Sequence, residues 1–394
     1  MALETITGQP NQLLTATAIE QGAATAANPN PELSAAQLAA AGITIQAPGP
    51  NAVNGVFYTI APNFKPQYSI QSSLSVAHQI SPNLAAEIGY NMYRSTHVEQ
   101  SLEANYMVDP ALPVDPFVGP FYEPKPGVTA GEPNAAILQN NQYSSTGSSI
   151  YHGLTASLTK RYDRGLQFQI DYTFSRAIDD TSDYSSLSTP FRPGFLNQDR
   201  AVSDFNITHN FVANAVYTTP FHPGQGGFWS RLLADVSISP IVYARSGVPF
   251  TLLVPGLSNG AGSHSSEARP FHEGRNTGVG PAFYSWDMRL SKVVYLRPDS
   301  GLKLEVIAQA TDLLNHTNFS AVNNIFPNTA VVDPATGLTQ SAVVPTPEGT
   351  VDLLNGPYRY QGFVPTSASE LSTPLAFSSA NPPRQVSLAL QLAF

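Results

Sequence analysis

The sequence predicts an all-β protein, a portion of an antiparallel transmembrane β-barrel with about nine strands and long outer loops. Three observations predict it. Apolar and polar residues alternate in several segments, tight turns alternate with long Pro- and Gly-rich stretches, and no apolar run approaches the roughly 18 residues of a membrane helix. Only 12% of the 394 residues are charged and 42% are hydrophobic. This composition favours strands whose apolar side chains, at alternate positions, face lipid.

The carboxyl-terminal segment 384–394 carries the clearest alternation. One face holds Val386, Leu388, Leu390, Leu392 and Phe394, and the other holds Ser387, Ala389, Gln391 and Ala393. A strand of period two with one apolar and one small or polar face suits a barrel wall between lipid and a wet lumen. The aromatic residue at its end would lie at the membrane interface.

Nine segments are predicted to be strands. They are Tyr68–Ile80, Leu84–His97, Ser149–Arg161, Leu166–Ile178, Phe205–Thr219, Leu232–Arg245, Tyr284–Leu296, Leu302–Leu314 and Arg384–Phe394. Short turns rich in Asp, Pro and Gly join them in pairs at Ser81–Asn83, Tyr162–Gly165, Pro220–Gly227 and Pro298–Gly301. The connections between pairs are long, so the short turns should cluster at one end of the sheet and the long loops at the other.

The strand count bears on domain organisation. We expect residues 1–67 to be an outer loop region with little regular structure and residues 68–394 to be barrel. An intact bacterial barrel has an even number of strands, normally with both ends in the periplasm. Nine strands entered from an outer loop therefore predict an open sheet, with edges at Tyr68–Ile80 and Arg384–Phe394, as the tail of a larger barrel.

The fourth segment predicts which residues line the lumen. Phe168, Ile170, Tyr172 and Phe174 are expected to face lipid, alternating with Gln167, Gln169, Asp171 and Thr173. The polar phase of the seventh and eighth segments adds four further lumen-facing candidates, namely Asp287, Arg289, Glu305 and Gln309. These side chains could contact a solute or form ion pairs with a plug. Aromatic girdles at the membrane interfaces are predicted at Tyr68, Tyr90, Tyr217, Trp286 and Phe394.

Composition and motifs exclude several other functions. A net charge of −9 argues against a nucleic-acid partner, and the absence of Cys excludes disulfides and thiolate metal sites. No nucleophile elbow or phosphate-binding Gly loop is visible, so we expect neither an enzyme nor a cofactor. Two acidic or His-rich clusters, Asp179–Asp183 and the set His264, Glu267, His272 and Glu273, lack the ligand spacing of metal sites. We interpret both as solvated loops.

Several segments, taken together, resemble the barrel of TonB-dependent outer-membrane receptors. The match is closest to the large receptors that carry a carboxypeptidase-regulatory-like domain ahead of the plug. The similar stretches recur in family order over about residues 66–394: Tyr151–Arg161, Gly165–Asp180, Ser203–Asn214, Arg245–Thr251, Ser285–Lys292, Asp312–Phe319 and Pro383–Leu390. Terminal Phe394, after alternating apolar residues, also resembles the signal by which outer-membrane proteins are recognised by the barrel-assembly machinery.

The resemblance implies a 22-stranded barrel filled by a plug, located in the outer membrane of a Gram-negative bacterium. It also implies uptake of a solute driven through the TonB system, with this chain supplying channel wall and ligand-capture loops. The plug and the TonB box are not among the similar stretches, and the solute cannot be identified from loop composition. The alternative is a surface adhesin or an anchoring barrel that transports nothing.

Overall fold

The computed structural model describes most of the chain, and nine long strands dominate it. The described residues are 56–104, 106–124, 139–182, 192, 194–221, 227–255, 267–297, 302–327, 329–347, 349–356 and 359–393. The nine strands are β1 (Tyr68–Ser81), β2 (Leu84–Glu103), β3 (Gln139–Asp163), β4 (Leu166–Asp179), β5 (His209–Thr218), β6 (Val236–Arg245), β7 (Phe283–Arg297), β8 (Leu302–Thr311) and β9 (Gln385–Ala393). All of them pair antiparallel, in chain order, in one sheet.

The meander confirms the predicted strands and their order. Each strand pairs with its neighbours in sequence, and β1 and β9 form the two edges of the described sheet. The predicted bounds of β2 and β3 were too short, because pairing continues past His97 to Glu103 opposite Asn141. His97 has a φ of 60° and marks an irregularity in the register, after which the ladder resumes. The alternation of apolar and polar residues is interrupted at this irregularity, so the sequence did not indicate that the strands continue beyond it.

A short strand lies within the segment that was expected to be an irregular outer loop. Val56–Ile60 pairs in parallel with residues 139–143 of β3. Residues 61–67 form no strand or helix. The proposed boundary between residues 67 and 68 stays a prediction.

The short connections gather at one end of the sheet, which we call the turn end. The Arg161 amide donates to the Asn83 carbonyl at 2.8 Å, and the Thr218 amide donates to the Gly165 carbonyl at 2.7 Å. Gly165 has a φ of 82°, a conformation that an L side chain would strain. Lys303 pairs with Ala393, so β9 also finishes at this end. The predicted turn at 298–301 lies outside the described residues.

One of the four short connections is longer than predicted. The turn after β5 leads into helix α1 (Phe228–Leu233) before β6 begins at Val236. This helix replaces the start of the predicted sixth strand. Two 3₁₀ segments, Leu196–Asp199 and Ala368–Ser372, lie in the connections at the opposite end.

The two faces of the sheet differ in chemistry. Along β4, Ile170 lies opposite Leu158 and Ala213, whereas Gln169 lies opposite Thr159 and Asn214. The apolar face is exposed along the whole sheet, as the exposed fractions of Leu74 in β1 (73%) and Leu388 in β9 (80%) show. In water such a face would be an aggregation surface, whereas lipid would cover it at no cost.

The hydrophobic core lies outside the sheet, among the long connections. These are loop 1 (104–138), loop 2 (180–208), loop 3 (246–282) and loop 4 (312–384), which together we call the loop layer. Its buried apolar cluster consists of Phe117, Leu252, Val254, Phe326, Ala342, Val344, Leu353, Tyr360 and Leu375. The long loops are thus folded together, which their Pro-, Gly- and Ser-rich composition did not predict.

Short strands build the loop layer. They are Tyr106–Val108, Tyr122–Pro124, Ala201–Val202, Pro249–Phe250, Val254–Pro255, Glu267–Ala268, Gly278–Val279, Phe319–Val322, Ala330–Val332, Thr339–Thr346, Gly349–Asp352, Tyr360–Gln361 and Phe377–Ala380. Several pair within one loop, but Gly278–Val279 of loop 3 pairs with Tyr360–Gln361 of loop 4. Backbone pairing across loops holds the layer together as one structure.

Candidate functional site: the polar face and the loop layer

All eight predicted lumen-facing residues lie on the polar face of the sheet. They form two groups, one on β4 (Gln167, Gln169, Asp171 and Thr173) and one on β7 and β8 (Asp287, Arg289, Glu305 and Gln309). The register relates the groups directly, because Gln169, Asn214, Ile241 and Asp287 follow one another across four adjacent strands. Three strand spacings separate the two groups, or about 14 Å. That this face lines a lumen stays a prediction.

The group on β4 is a hydrogen-bonded cluster around a carboxylate. Ser157 donates its hydroxyl to Asp171 at 2.6 Å, and the Gln169 side-chain amide donates to the other carboxylate oxygen at 2.8 Å. Both donors lie on the polar face. Ser157 is on β3, directly opposite Asp171, and Gln169 is two residues before Asp171 on β4. The carboxylate is therefore held in one orientation by its neighbours.

The group on β7 and β8 combines both signs of charge. Arg289 and Glu305 approach to 3.7 Å, on a surface that is open to solvent. Asp287 accepts the Ser285 hydroxyl at 2.7 Å and the Asp312 backbone amide at 2.9 Å. Asp287 thereby ties β7 to the start of loop 4. An exposed pair such as Arg289–Glu305 contributes little stability and leaves both groups free to exchange partners.

Loops 2 and 3 meet in a network of ion pairs, some of whose members are buried. Arg275 of loop 3 forms an ion pair with Asp179, at the end of β4, and a second with Asp204 of loop 2 at 3.1 Å. Its guanidinium also donates to the Ser182 hydroxyl at 2.9 Å. The interpretation of the acidic cluster at Asp179 as a solvated loop is wrong, because this carboxylate is buried against Arg275. Asp183 lies outside the described residues.

A second buried pair continues the network. Arg269, of which 2% is exposed, forms an ion pair with Asp199 of loop 2. Arg192 of loop 2 donates to the Arg269 backbone carbonyl at 2.9 Å, and its guanidinium lies over the Phe271 ring. Burial, and the positive charge of Arg269, lower the pKa of Arg192 to about 10. Arg192 also lies near Tyr122 of loop 1, whose pKa burial raises to about 12.

Glu273 joins loop 3 to loop 4. Its buried carboxylate accepts the Tyr360 hydroxyl at 2.9 Å, and the Tyr360 ring packs edge-on against Phe326 in the core. Burial raises the pKa of Glu273 to about 7, although the Tyr360 hydrogen bond and Arg269 oppose the rise. Glu273 was interpreted as part of a solvated cluster, and that interpretation is wrong. His264 lies outside the described residues.

A cavity of about 520 Å³ opens beside this junction. Polar groups dominate its wall, which includes Thr346, Thr350, Arg359, Tyr360, Gln361 and Leu375. All of these residues come from loop 4. Tyr360 therefore contacts the cavity, the hydrophobic core and Glu273 at once.

Sequence patterns could not have revealed these loop residues. The bond from the Thr339 amide to the Asp115 carboxylate spans 224 positions of the chain, and no local period marks such a contact. Among the described residues, no three His, Asp or Glu side chains are grouped so that they could hold a metal ion. None of the helices in the described part of the chain is long and apolar enough to span a bilayer. Phe394, the predicted assembly signal, lies outside the described residues.

Comparisons with known proteins identify a family and several distant structures, among them two transporters. The family model described as "Outer membrane beta barrel domain" matches residues 3–273. The outer membrane transporter YddB from Escherichia coli aligns at 12% identity and a TM-score of 0.42, over 72% of this chain and 32% of that one. The FrpB iron transporter from Neisseria meningitidis aligns at 11% identity and a TM-score of 0.36, over 66% of this chain and 29% of that one. The chain thus spans about a third of the length of each. None of the curated proteins compared matches it.

Proposed function

Because the chain belongs to the family described as "Outer membrane beta barrel domain", we infer that it forms channel wall and ligand-capture loops of a solute receptor. The protein is located in the outer membrane. The receptor we infer is a TonB-dependent transporter, whose barrel these strands would help to close. The observation that carries the inference is a sheet with one exposed apolar face and one polar face, capped at one end by folded loops.

The two-faced sheet supports a transmembrane wall. Exposed apolar residues run from β1 to β9 on one face, where lipid would cover them. The opposite face holds carboxylates, amides and a guanidinium at fixed positions, which can exchange hydrogen bonds with a passing solute or with a plug. A soluble sheet would instead bury its apolar face against a second layer.

The folded loop layer supports ligand capture at the cell surface. Long loops of outer-membrane barrels lie on the extracellular side, so this layer would meet solutes first. Buried ion pairs and a shared core hold loops 2, 3 and 4 in one arrangement. A preorganised surface loses little conformational entropy when a ligand binds, which favours affinity.

The remaining parts of the proposal come from the resemblance in sequence. We expect the barrel-assembly machinery to recognise the terminal strand, and the TonB system to act through the receptor's plug. We expect no enzymatic activity and no cofactor. The solute is left open, although the polar cavity beside Tyr360 is suited to a hydrophilic molecule.

Growth tests separate transport from adhesion. A strain lacking the complete gene and a strain lacking tonB would be grown on panels of iron chelates, glycans and peptides as limiting nutrients. We expect both deletions to abolish growth on the same nutrient, and a plasmid copy of the gene to restore it only when tonB is present. A gene deletion that lowers surface attachment but alters growth on no nutrient would support the adhesin alternative instead.

A further inference from the structure

On three neighbouring strands the apolar face changes from apolar to basic residues at nearly the same level. Proceeding from the turn end, β4 presents Phe168, Ile170, Tyr172 and Phe174, and then Arg176. On β2 the apolar series Ile88, Tyr90 and Met92 is followed by Arg94, and on β3 Leu158, Ala156 and Leu154 are followed by His152. A ladder of apolar side chains thus leads into a basic patch on each strand.

The register brings the basic residues together. His152 lies directly opposite Arg176 on β4 and opposite Met92 on β2, and Arg94 lies two residues beyond Met92. The Cα atoms of Arg94 and Arg176 are then about 12 Å apart, two strand spacings across and two residues along. Both arginines are exposed, and their side chains are long enough to converge on one ligand.

Tyrosine–histidine pairs border the patch on the apolar side. The Tyr90 hydroxyl lies 2.7 Å from His152 Nδ1, and the Tyr172 hydroxyl lies 2.8 Å from His209 Nδ1. Each ring pair is stacked, at 26° and 25° respectively. When the tyrosine donates to Nδ1, the Nε2 atom of the histidine carries the hydrogen and can donate to an anion.

The two arginines have no acidic partner in the described part of the chain. Within the described residues, neither Arg94 nor Arg176 forms an ion pair, in contrast to Arg200, whose guanidinium lies 2.9 Å from Asp180. Asp180 lies four positions beyond Arg176 and is already paired with Arg200. The patch therefore keeps a net positive charge on the face that carries the apolar ladders.

Along the membrane normal, the patch lies at the level of the lipid headgroups. Ten residues separate Leu166 at the turn end from Arg176, which gives about 26 Å along the membrane normal for a strand tilted by about 40°. The apolar band of an outer-membrane barrel is about 25 Å tall. Arg176 and Arg94 should thus lie at the outer interface, with the apolar ladders beneath them in the acyl region.

We propose that Arg94, His152, Arg176 and His209 form a binding site for the phosphorylated headgroup of an outer-leaflet lipid. Guanidinium groups bind phosphate through charge-assisted, often bidentate hydrogen bonds. The lipid's acyl chains lie along Leu154 and Phe174, whose apolar surfaces are exposed directly below. The site binds a membrane component and is independent of any transported solute.

Lipid binding to the complete receptor, purified in a neutral detergent, tests the proposal. The probes are diphosphoryl lipid A and the same lipid after enzymatic removal of its phosphates. We expect the wild-type protein to prefer the phosphorylated form by about tenfold or more, and R94Q/R176Q to lose that preference, since each arginine contributes a phosphate contact. Millimolar inorganic phosphate should not displace the lipid, because the acyl contacts supply part of the affinity.

A matched control removes two cations elsewhere. Arg161 and Lys303 are exposed near the turn end, so R161Q/K303Q should bind like the wild type. Heat-modifiable migration in gels would report whether each variant is folded. Equal binding of both lipids by the wild-type protein would overturn the proposal even if R94Q/R176Q failed to fold, and so would an unchanged preference in a folded R94Q/R176Q. Displacement by inorganic phosphate would assign the patch to a free anion and also overturn it.

Discussion

Arg275 of loop 3 and the buried Asp179 at the end of β4 form a largely buried ion pair that fixes the loop layer to the sheet. The pair joins residues 96 positions apart, and Arg275 reaches loop 2 through Asp204 as well. Removing one partner of a buried pair leaves an uncompensated charge, which costs far more than the pair itself contributes. The loop layer should therefore be sensitive at this position.

We expect Arg275→Gln to destabilise loops 2 and 3 by about 3 kcal/mol or more, because Asp179 would stay buried without a cation. Hydrogen exchange of residues 194–206 and 269–279 would measure the loss. The double variant R275Q/D179N should recover much of it. Arg200→Gln is the control, since its pair with Asp180 is half-exposed and should contribute under about 1 kcal/mol. Equal losses of protection in R275Q and R200Q would contradict the expectation that the Arg275–Asp179 pair contributes more stability than the Arg200–Asp180 pair.

Glu273 predicts a pH dependence of the loop layer. Its pKa rises on folding from an ordinary 4.5 to about 7, so the folded state retains a proton that the unfolded loop releases. The stabilisation is complete below about pH 4.5, declines as pH rises to about 7, and is constant above that. The protection of residues 273–279 and 359–363 from hydrogen exchange, relative to the intrinsic exchange rate at each pH, should therefore fall between those values.

The variant Glu273→Gln should remove this pH dependence, because an amide accepts the Tyr360 hydroxyl without titrating. Tyr360→Phe is a contrasting change that leaves the carboxyl buried without its donor, and should move the transition to higher pH. If the protection of these residues in the wild-type protein, relative to the intrinsic exchange rate, is constant from pH 4.5 to 7, Glu273 does not govern loop packing.

Cysteine labelling can test which side chains of the strands face lipid and which face the lumen, since the sequence contains no Cys. Single cysteines at Leu388 and Ile170 should react with a lipid-soluble maleimide and resist a charged one in intact outer membranes. Cysteines at the adjacent positions Ser387 and Gln169 should show the reverse preference. If both members of either pair label alike, the assignment of lipid and lumen faces is incorrect.

The core of the loop layer should unfold independently of the sheet. Phe326 is fully buried, so Phe326→Ala should cost the loop layer about 3–5 kcal/mol while the strands keep their protection from exchange. Val331→Ala, at a half-exposed position of the same loop, should change little. Joint loss of loop and strand protection in F326A would show that the two fold as one unit.

Local alternation was sufficient to predict the strands but not the loops. The segment from Leu166 to Ser175 keeps strict period two because each face meets a uniform environment, so its facing could be predicted. Contacts such as those of Phe117 with the loop core depend on chain segments more than 100 positions apart. Asp179 and Glu273 resembled solvated loop acids because their partners, Arg275 and Tyr360, are distant in sequence.

The length of β3 has a consequence for what the cell presents to its surroundings. Thirteen residues of this strand, from Gln139 to Tyr151, lie beyond His152, and β2 accompanies them as far as Glu103. At a tilt of about 40° this ribbon would rise about 34 Å above the headgroups. This two-stranded extension would project into the surface polysaccharide. Antibodies, bacteriophages and large nutrients could then reach its tip without approaching the bilayer.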